Sequence, residues 1–275
     1  DFAEADIQKR ILARGQTELA RLDEALEIPE GVSREVFFET LCPPLPENFE
    51  PQQDEPAAIR ELQAQRPFKR SARAQWSEAR WRMHRWAYCR LTERVDAQIG
   101  CVLDALRESG KAEDTVVIFT SDHGDMDGAH RMEHKTAFYE EACRVPLIVS
   151  QPGTTPAGRI DATHLVSNGL DLIPTLCDYA GIDAPSALQG MSFRPLAEGE
   201  TPDAQRDMLP IEGEFGRALV TDRYKYARYD RGEHREQLLD LEERPLEMRN
   251  AAHDPDKQGV IERLREAFVR YYEQG

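Results

Sequence analysis

Asp122, His123 and Lys135 are the residues of this chain whose types and spacing could do chemistry. Asp122 and His123 stand side by side and offer a hard oxygen and an imidazole nitrogen, the donors from which a divalent cation site is built. An ion held there would act as a Lewis acid on an oxyanion substrate. Lys135 follows His123 by twelve residues. Its ammonium can neutralise the non-bridging oxygens of a tetrahedral anion and charge growing on a leaving group. Alone, an Asp-His pair reads as a turn cap beside a loop histidine, and a lysine as a solvated charge. The run Val116-Val117-Ile118-Phe119-Thr120 before the pair and Gly124 after it change that reading. A buried strand ending in ligand-type side chains, with a glycine allowing close backbone approach, is where an open α/β sheet places its ligand.

His130 and His134 extend the candidate set as catalytic residues at the rim of the site. They stand four apart and could share a helix face as zinc ligands, although no glutamate follows His130 directly and the zinc-protease pattern is absent. Asp125-x-Asp127-Gly128 suggests a calcium loop, but histidines stand where an EF-hand needs Asp and Glu. No G-x-S-x-G, G-x-G-x-x-G or Walker loop occurs.

The elements that must position these residues follow from the hydrophobic pattern. Ile7, Ile11, Leu19, Leu22 and Leu26 predict a helix stopped at Pro29-x-Gly31. Pro43, Pro44, Pro46, Pro51 and Pro56 predict an extended surface segment. A second amphipathic helix is expected over 76–107, its aromatics packing helix to sheet and Gly110 closing it. After the 116–120 strand we expect a short helix over 136–142, a strand at 147–150, and a helix over 168–179 closed by Gly181. In that helix Leu170, Ile173, Leu176 and Tyr179 share a face. The alternation indicates an α/β domain with a mostly parallel sheet between helices. From about residue 201, short strands at 208–212, 217–221, 225–229 and 237–241 predict an antiparallel meander, covered by a helix over 257–272. Domains of 1–200 and 201–275 follow.

With 275 residues the chain can bury a full core, and a net charge of −16 argues against nucleic acid as a partner. The five cysteines are odd in number and form no C-x-x-C pair, so neither a disulfide scaffold nor a thiolate zinc site is expected. Cys89, Cys101, Cys143 and Cys177 read as small core residues. No apolar run nears the roughly 20 residues that cross a bilayer.

Thr120-Ser121-Asp122-His123-Gly124, Lys135 and Tyr139-Glu140-Glu141-Ala142-Cys143-Arg144-Val145-Pro146-Leu147-Ile148-Val149 together resemble the sulfatase family of the alkaline-phosphatase-like superfamily. The resemblance continues through Asp171-Leu172-Ile173-Pro174-Thr175-Leu176 and Gly190-Met191-Ser192-Phe193. It ends in Tyr224-Lys225-Tyr226, Leu239-Asp240-Leu241 and Pro245-x-Glu247-x-x-Asn250, where Leu239 and Arg244 replace the family's usual Tyr and Asp. It implies an alkaline-phosphatase-like fold and metal-dependent hydrolysis of a sulfate ester, on a small molecule or a carbohydrate. By match, Asp122 and His123 are ligands of one divalent cation, usually calcium, with manganese, magnesium or zinc as alternatives. Lys135 is the sulfate contact, and the C-terminal motifs are structural markers.

The family's nucleophile, a formylglycine made from the cysteine of Cys-x-Pro-Ser-Arg, has no counterpart here. Cys42-Pro43-Pro44 continues as Leu45-Pro46, so Cys42 is not expected to serve. Family order places that motif upstream of residue 1, so the chain reads as the C-terminal portion of a sulfatase, expected to be of low activity alone. An incomplete sheet edge would favour oligomers. A phosphonate monoester or phosphodiester hydrolase of the same superfamily, and a non-catalytic sulfatase-like module, are the alternatives.

Overall fold

A computed structural model of the protein describes residues 28–244 and 246–273. The helix expected over Ile7–Leu26 lies outside the described residues. After a short helical stretch at Arg34–Leu41, the chain runs through α1 (Ala57–Gln65), α2 (Pro67–Gln75) and the long α3 (Glu78–Glu108). Then come β1 (Val117–Thr120), α4 (Glu140–Cys143), β2 (Leu147–Ser150), α5 (Asn168–Ala180) and α6 (Arg194–Glu198). The C-terminal part holds β3 (Leu209–Gly213), β4 (Gly216–Val220), β5 (Tyr224–Tyr229), β6 (Glu236–Asp240) and α7 (Gln258–Tyr272). An α/β fold ending in an antiparallel sheet with a helix over it is the architecture expected.

The pairing inside the first sheet differs from expectation. Among the described residues it has two strands, and they run antiparallel, Val117 opposite Ser150 and Thr120 opposite Leu147. A parallel partner needs a crossover of a dozen or more residues, usually a helix. Between β1 and β2 the chain makes turns, a single 3-10 turn at Ala129–Arg131 and the four-residue α4, with no helix long enough to cross the sheet, and it returns alongside β1 in the opposite direction. Nor is β1 fully buried: Phe119 and, across the ladder, Ile148 are exposed. The helix expected at 136–142 starts late, at Glu140, because Thr136 has a positive φ of 100°.

The aromatics of α3 pack elsewhere than on a sheet. Ser77 caps the helix by accepting from the Arg80 N–H. One turn in, buried Trp81 meets Trp76 edge-on at 4.9 Å and Phe49 at 5.9 Å, while Trp76 meets Phe68. This aromatic cluster locks the start of α3 to α2 and to the proline-rich segment. That segment is extended, as its prolines require, but it is not a surface strap: Asn48, Gln52 and Glu55 are buried. Farther along α3, Leu91, Val95 and Val102 are exposed, and so are Cys89 and Cys101, which are therefore not core residues. In α5 the shared apolar face is also partly turned outward, with Ile173 and Leu176 exposed. Asp171, Pro174 and Thr175 are buried instead. Arg206 holds that face, bidentate to Asp171 at 2.8 Å.

The C-terminal meander, in order β3-β4-β5-β6, follows the predicted strands to within a residue or two. Its alternation buries both faces. Leu219, Tyr226 and Leu238 pack under Ile261, Leu264, Ala267 and Phe268 of α7. Ala218, Ala227, Tyr229 and Leu239 pack on Met126, Met132, Ala137, Phe138, Tyr139 and Ala142. The second face is thus the floor beneath the segment that leads from Asp122 to β2.

Candidate functional site

The site begins where β1 ends. Asn168, the first residue of α5, donates its Nδ2 to the Ser121 carbonyl at 2.5 Å. Ser121 Oγ donates to the His123 carbonyl at 2.7 Å, and the His123 N–H donates to Asp122 Oδ1 at 3.0 Å. Gly124 then passes so close to α4 that its N–H donates to the Ala142 carbonyl at 2.9 Å. A Cβ at that position would stand 1.9 Å from the Glu141 carbonyl oxygen, which is why the position must be glycine.

These bonds orient the donors. His123 Nδ1 lies 2.7 Å from the Gly124 carbonyl, an acceptor only, so Nδ1 carries the proton and Nε2 presents its lone pair. Asp122 Oδ2 is 3.4 Å from that Nε2, and Lys135 Nζ is 2.5 Å from it. Asp122, His123 and Lys135 therefore converge. A separation of 3.4 Å between a carboxylate oxygen and an imidazole nitrogen suits two ligands sharing one ion at roughly 2.0–2.6 Å. The Lys135 ammonium already supplies one positive centre to this pair. The donor set fits a divalent cation. Against slight desolvation, the neighbouring His123, the Asp122 and His123 N–H groups and Lys135 hold the Asp122 carboxyl below its usual range, so it stays ionised. The three side chains open on a broad cleft that Arg144, His164 and Arg217 also line.

From Asp127 to Thr136 the backbone is strained. Asp127, His130, Arg131, His134 and Thr136 all have positive φ, from 44° to 100°. Buried bonds hold this path: Met126 N–H to the His134 carbonyl at 2.7 Å, and His130 N–H to the Asn48 carbonyl at 2.7 Å. His130 and His134 accordingly share no α-helix face. Nor is His130 a rim residue. It is fully buried, its ring stacked on Tyr139 at 3.8 Å. Burial, with Arg73 and Lys225 nearby, pushes its pKa down to about 3, so the ring is neutral. His134 is exposed, its ring 3.8 Å from Asp125 Oδ2 and 4.0 Å from Glu133 Oε2. Neither histidine lines the cleft. Cys42 is buried, and burial raises its thiol pKa against the pull of Arg82 and Arg85, the opposite of an activated nucleophile.

Beneath the loop lies a polar group that pattern reading did not assemble. Lys225, wholly buried in β5, ion-pairs with Glu140 at 2.6 Å and Glu247 at 2.8 Å. Glu247 also accepts the Glu140 N–H at 2.7 Å, and Asn48 donates to Glu141 at 2.7 Å. Burial opposes the Lys225 charge, but the two carboxylates outweigh it and raise its pKa. Burial pushes the Glu247 carboxyl up to about 7, against Lys225. Donor atoms of His130, Glu141 and Glu247 lie within 4.8 Å of one another, close enough to share a metal ion. Both Glu247 oxygens already have partners, however, so this group is better matched to holding α4 on the sheet. Its members are spread from Asn48 to Glu247, and no local spacing announces them.

Two family models match the chain: "Sulfatase" over residues 40–182 and "N-sulphoglucosamine sulphohydrolase, C-terminal" over 128–274. A Delta 4,5-hexuronate-2-O-sulfatase of Bacteroides thetaiotaomicron is 34% identical over 197 residues, covering 68% of this chain and 41% of the relative. An arylsulfatase of Clostridium perfringens is 35% identical over 193 residues, covering 68% and 40%. The chain thus spans about two fifths of the length of these curated relatives. Among solved structures, a 2-O GAG sulfatase superposes with a TM-score of 0.78 at 29% identity, over 92% of this chain and 56% of that one. The phosphonate monoester hydrolase of Agrobacterium radiobacter superposes at 0.66 and 29% identity, over 73% and 43%. No helix among the described residues is long and apolar enough to cross a membrane.

Proposed function

The chain belongs to the sulfatase family, and on that premise we propose that the protein hydrolyses a sulfate ester, with Asp122 and His123 as cation ligands and Lys135 as the sulfate contact. The observation that carries this reading is the convergence of Asp122 Oδ2 and Lys135 Nζ on His123 Nε2. A divalent cation, calcium by family habit, would withdraw charge from the sulfate oxygens. The rest falls to the chain itself. The Gly124 carbonyl keeps the proton on His123 Nδ1, so Nε2 holds the lone pair that Lys135 Nζ now meets at 2.5 Å and that a bound cation would take over. The ionised Asp122 supplies negative charge, and Lys135 places its ammonium against an oxyanion.

We place the nucleophile, a formylglycine, in a segment N-terminal to residue 1. Two things support this: the missing Cys-x-Pro-Ser-Arg motif and the two-fifths coverage of the relatives. Residues 1–275 alone should then turn over an aryl sulfate poorly. Sulfated carbohydrates, uronate 2-O-sulfates first, are the substrates to try, as a hexuronate-2-O-sulfatase and a 2-O GAG sulfatase stand among the relatives. The likeness to a phosphonate monoester hydrolase favours an aryl phosphonate as the comparison substrate.

The test uses the full-length protein with Asp122→Ala, His123→Ala and Lys135→Ala, assayed on aryl sulfate, uronate 2-O-sulfate and aryl phosphonate. Each substitution should cut turnover, and a chelator should silence the parent until calcium or manganese is returned. Undiminished turnover in the Asp122→Ala or Lys135→Ala variant would overturn the assignment.

A further inference from the structure

Lys69 is a lysine in a place where a lysine is costly. It lies on the inner side of α2, only 2% exposed, beside buried Ala72, while the neighbouring Arg70 faces water. A buried ammonium is tolerated only when it is paired and hydrogen-bonded. Lys69 Nζ donates to the Lys135 carbonyl at 3.1 Å and to Thr136 Oγ1 at 3.4 Å, with Glu133 Oε1 at 3.9 Å. All three of these residues belong to the strained path that delivers Lys135.

The strain makes the contact meaningful. Thr136 is β-branched and holds a φ of 100°, a conformation that persists only where the surroundings over-determine it. Lys69 holds both residues of that peptide, Lys135 by its backbone carbonyl and Thr136 by its side-chain hydroxyl. Lys135 itself is exposed, and its long side chain must still bring Nζ to 2.5 Å from His123 Nε2. An exposed lysine loses much rotamer freedom when held in one pose. A fixed backbone beneath it lowers that cost.

We propose that Lys69 is a positioning residue: from inside the fold it fixes the peptide at Lys135–Thr136, so that it acts on turnover only through Lys135. The inference rests on the reading of Lys135 as the anion contact. A purely structural lysine would instead lower stability and reduce activity in any background.

A double-mutant cycle in the full-length protein separates the two, reading kcat, KM and thermal midpoint on an aryl sulfate. Lys135→Ala should lower kcat/KM by about 10²- to 10³-fold, as loss of one oxyanion donor does. Lys69→Met should lower it by about 10-fold through kcat, and by less than about 2-fold when added to Lys135→Ala. Where Lys69→Met does not fold, Lys69→Gln, which keeps a donor, takes its place in the same cycle. Equal losses in both backgrounds, or full activity of the Lys69 variant beside a crippled Lys135→Ala, would overturn the link. Full activity of Lys135→Ala would overturn the premise instead, a different result.

Discussion

Two clusters in this chain are built from the same kinds of side chain, a lysine, a histidine and carboxylates, and they do opposite things. In the cleft, Lys135 and Asp122 meet at His123, with the Asp122 side chain 81% exposed. Beneath the loop, Lys225 meets Glu140 and Glu247 near His130, with the Lys225 and Glu247 side chains 0% exposed. Charges in water cost little to hold apart and remain available to a third charged group. Charges sealed from water must neutralise one another, and breaking such a set is expensive. The same alphabet thus gives the proposed site in one place and a bolt in the other. The two are coupled along one stretch of chain, because Glu140, gripped by Lys225, lies five residues past Lys135.

The comparison breaks most visibly at Lys225. Lys225→Ala leaves Glu140 and Glu247 facing each other without a counter-charge, and should cost about 3–5 kcal/mol of folding stability. Chemical denaturation of the parent and the variant measures it. Asp122→Ala is the mirror experiment. It should leave the thermal midpoint within error of the parent and lower turnover by about 10²-fold or more. If instead Asp122→Ala unfolded the protein, or Lys225→Ala left stability untouched, the division of labour drawn here would be wrong.

How far this was legible in sequence depends on the distance over which each feature is encoded. The Asp122–His123 pair announces itself because strand, donors and glycine are contiguous. The meander and α7 were readable for the same reason, each from its own local period. Lys225, Glu247 and Asn250 were recognisable as motifs, yet their purpose was not. It lies in contacts such as Lys225 to Glu140 and Asn250 to the Asp54 carbonyl, across 85 and 196 residues. His130 misled for a different reason. Four-residue spacing suggests a helix face, whereas positive φ at His130 and His134 takes the chain off any helix and buries only one of the two rings. Antiparallel pairing of β1 with β2 was hidden because alternation reports the elements, and the connection between them sets direction.

His130 sharpens the comparison through pH. Its folded pKa is about 3, against about 6.5 for a free imidazole. Below pH 6.5 the unfolded chain takes up a proton that the folded one refuses. The stabilisation is therefore complete above about 6.5 and is lost as pH falls toward about 3. Between pH 6.5 and 5 the loss should be about 2 kcal/mol. His130→Phe keeps an aromatic ring against Tyr139 but cannot titrate, so its stability should fall less steeply over that interval. Parallel pH profiles for the two proteins would show that the sealed cluster admits protons freely.

The smallest effect should come from His134, and it is the finest test of exposure as the deciding variable. By residue type and by proximity to Lys135 it belongs to the cleft; by geometry it faces Asp125 and Glu133, and it does not line the cleft. Surface substitutions of this kind shift stability by no more than about 0.5 kcal/mol. His134→Ala should therefore change kcat/KM by less than about 3-fold, since truncating it removes no group that reaches the anion. One complication is backbone: His134 holds a φ of 65°, and alanine is strained there. His134→Asn, which tolerates that region, removes the complication. A large loss of turnover in the asparagine variant would mean that the imidazole swings into the cleft during catalysis. The line between available and spent charges would then have to be redrawn around a moving side chain.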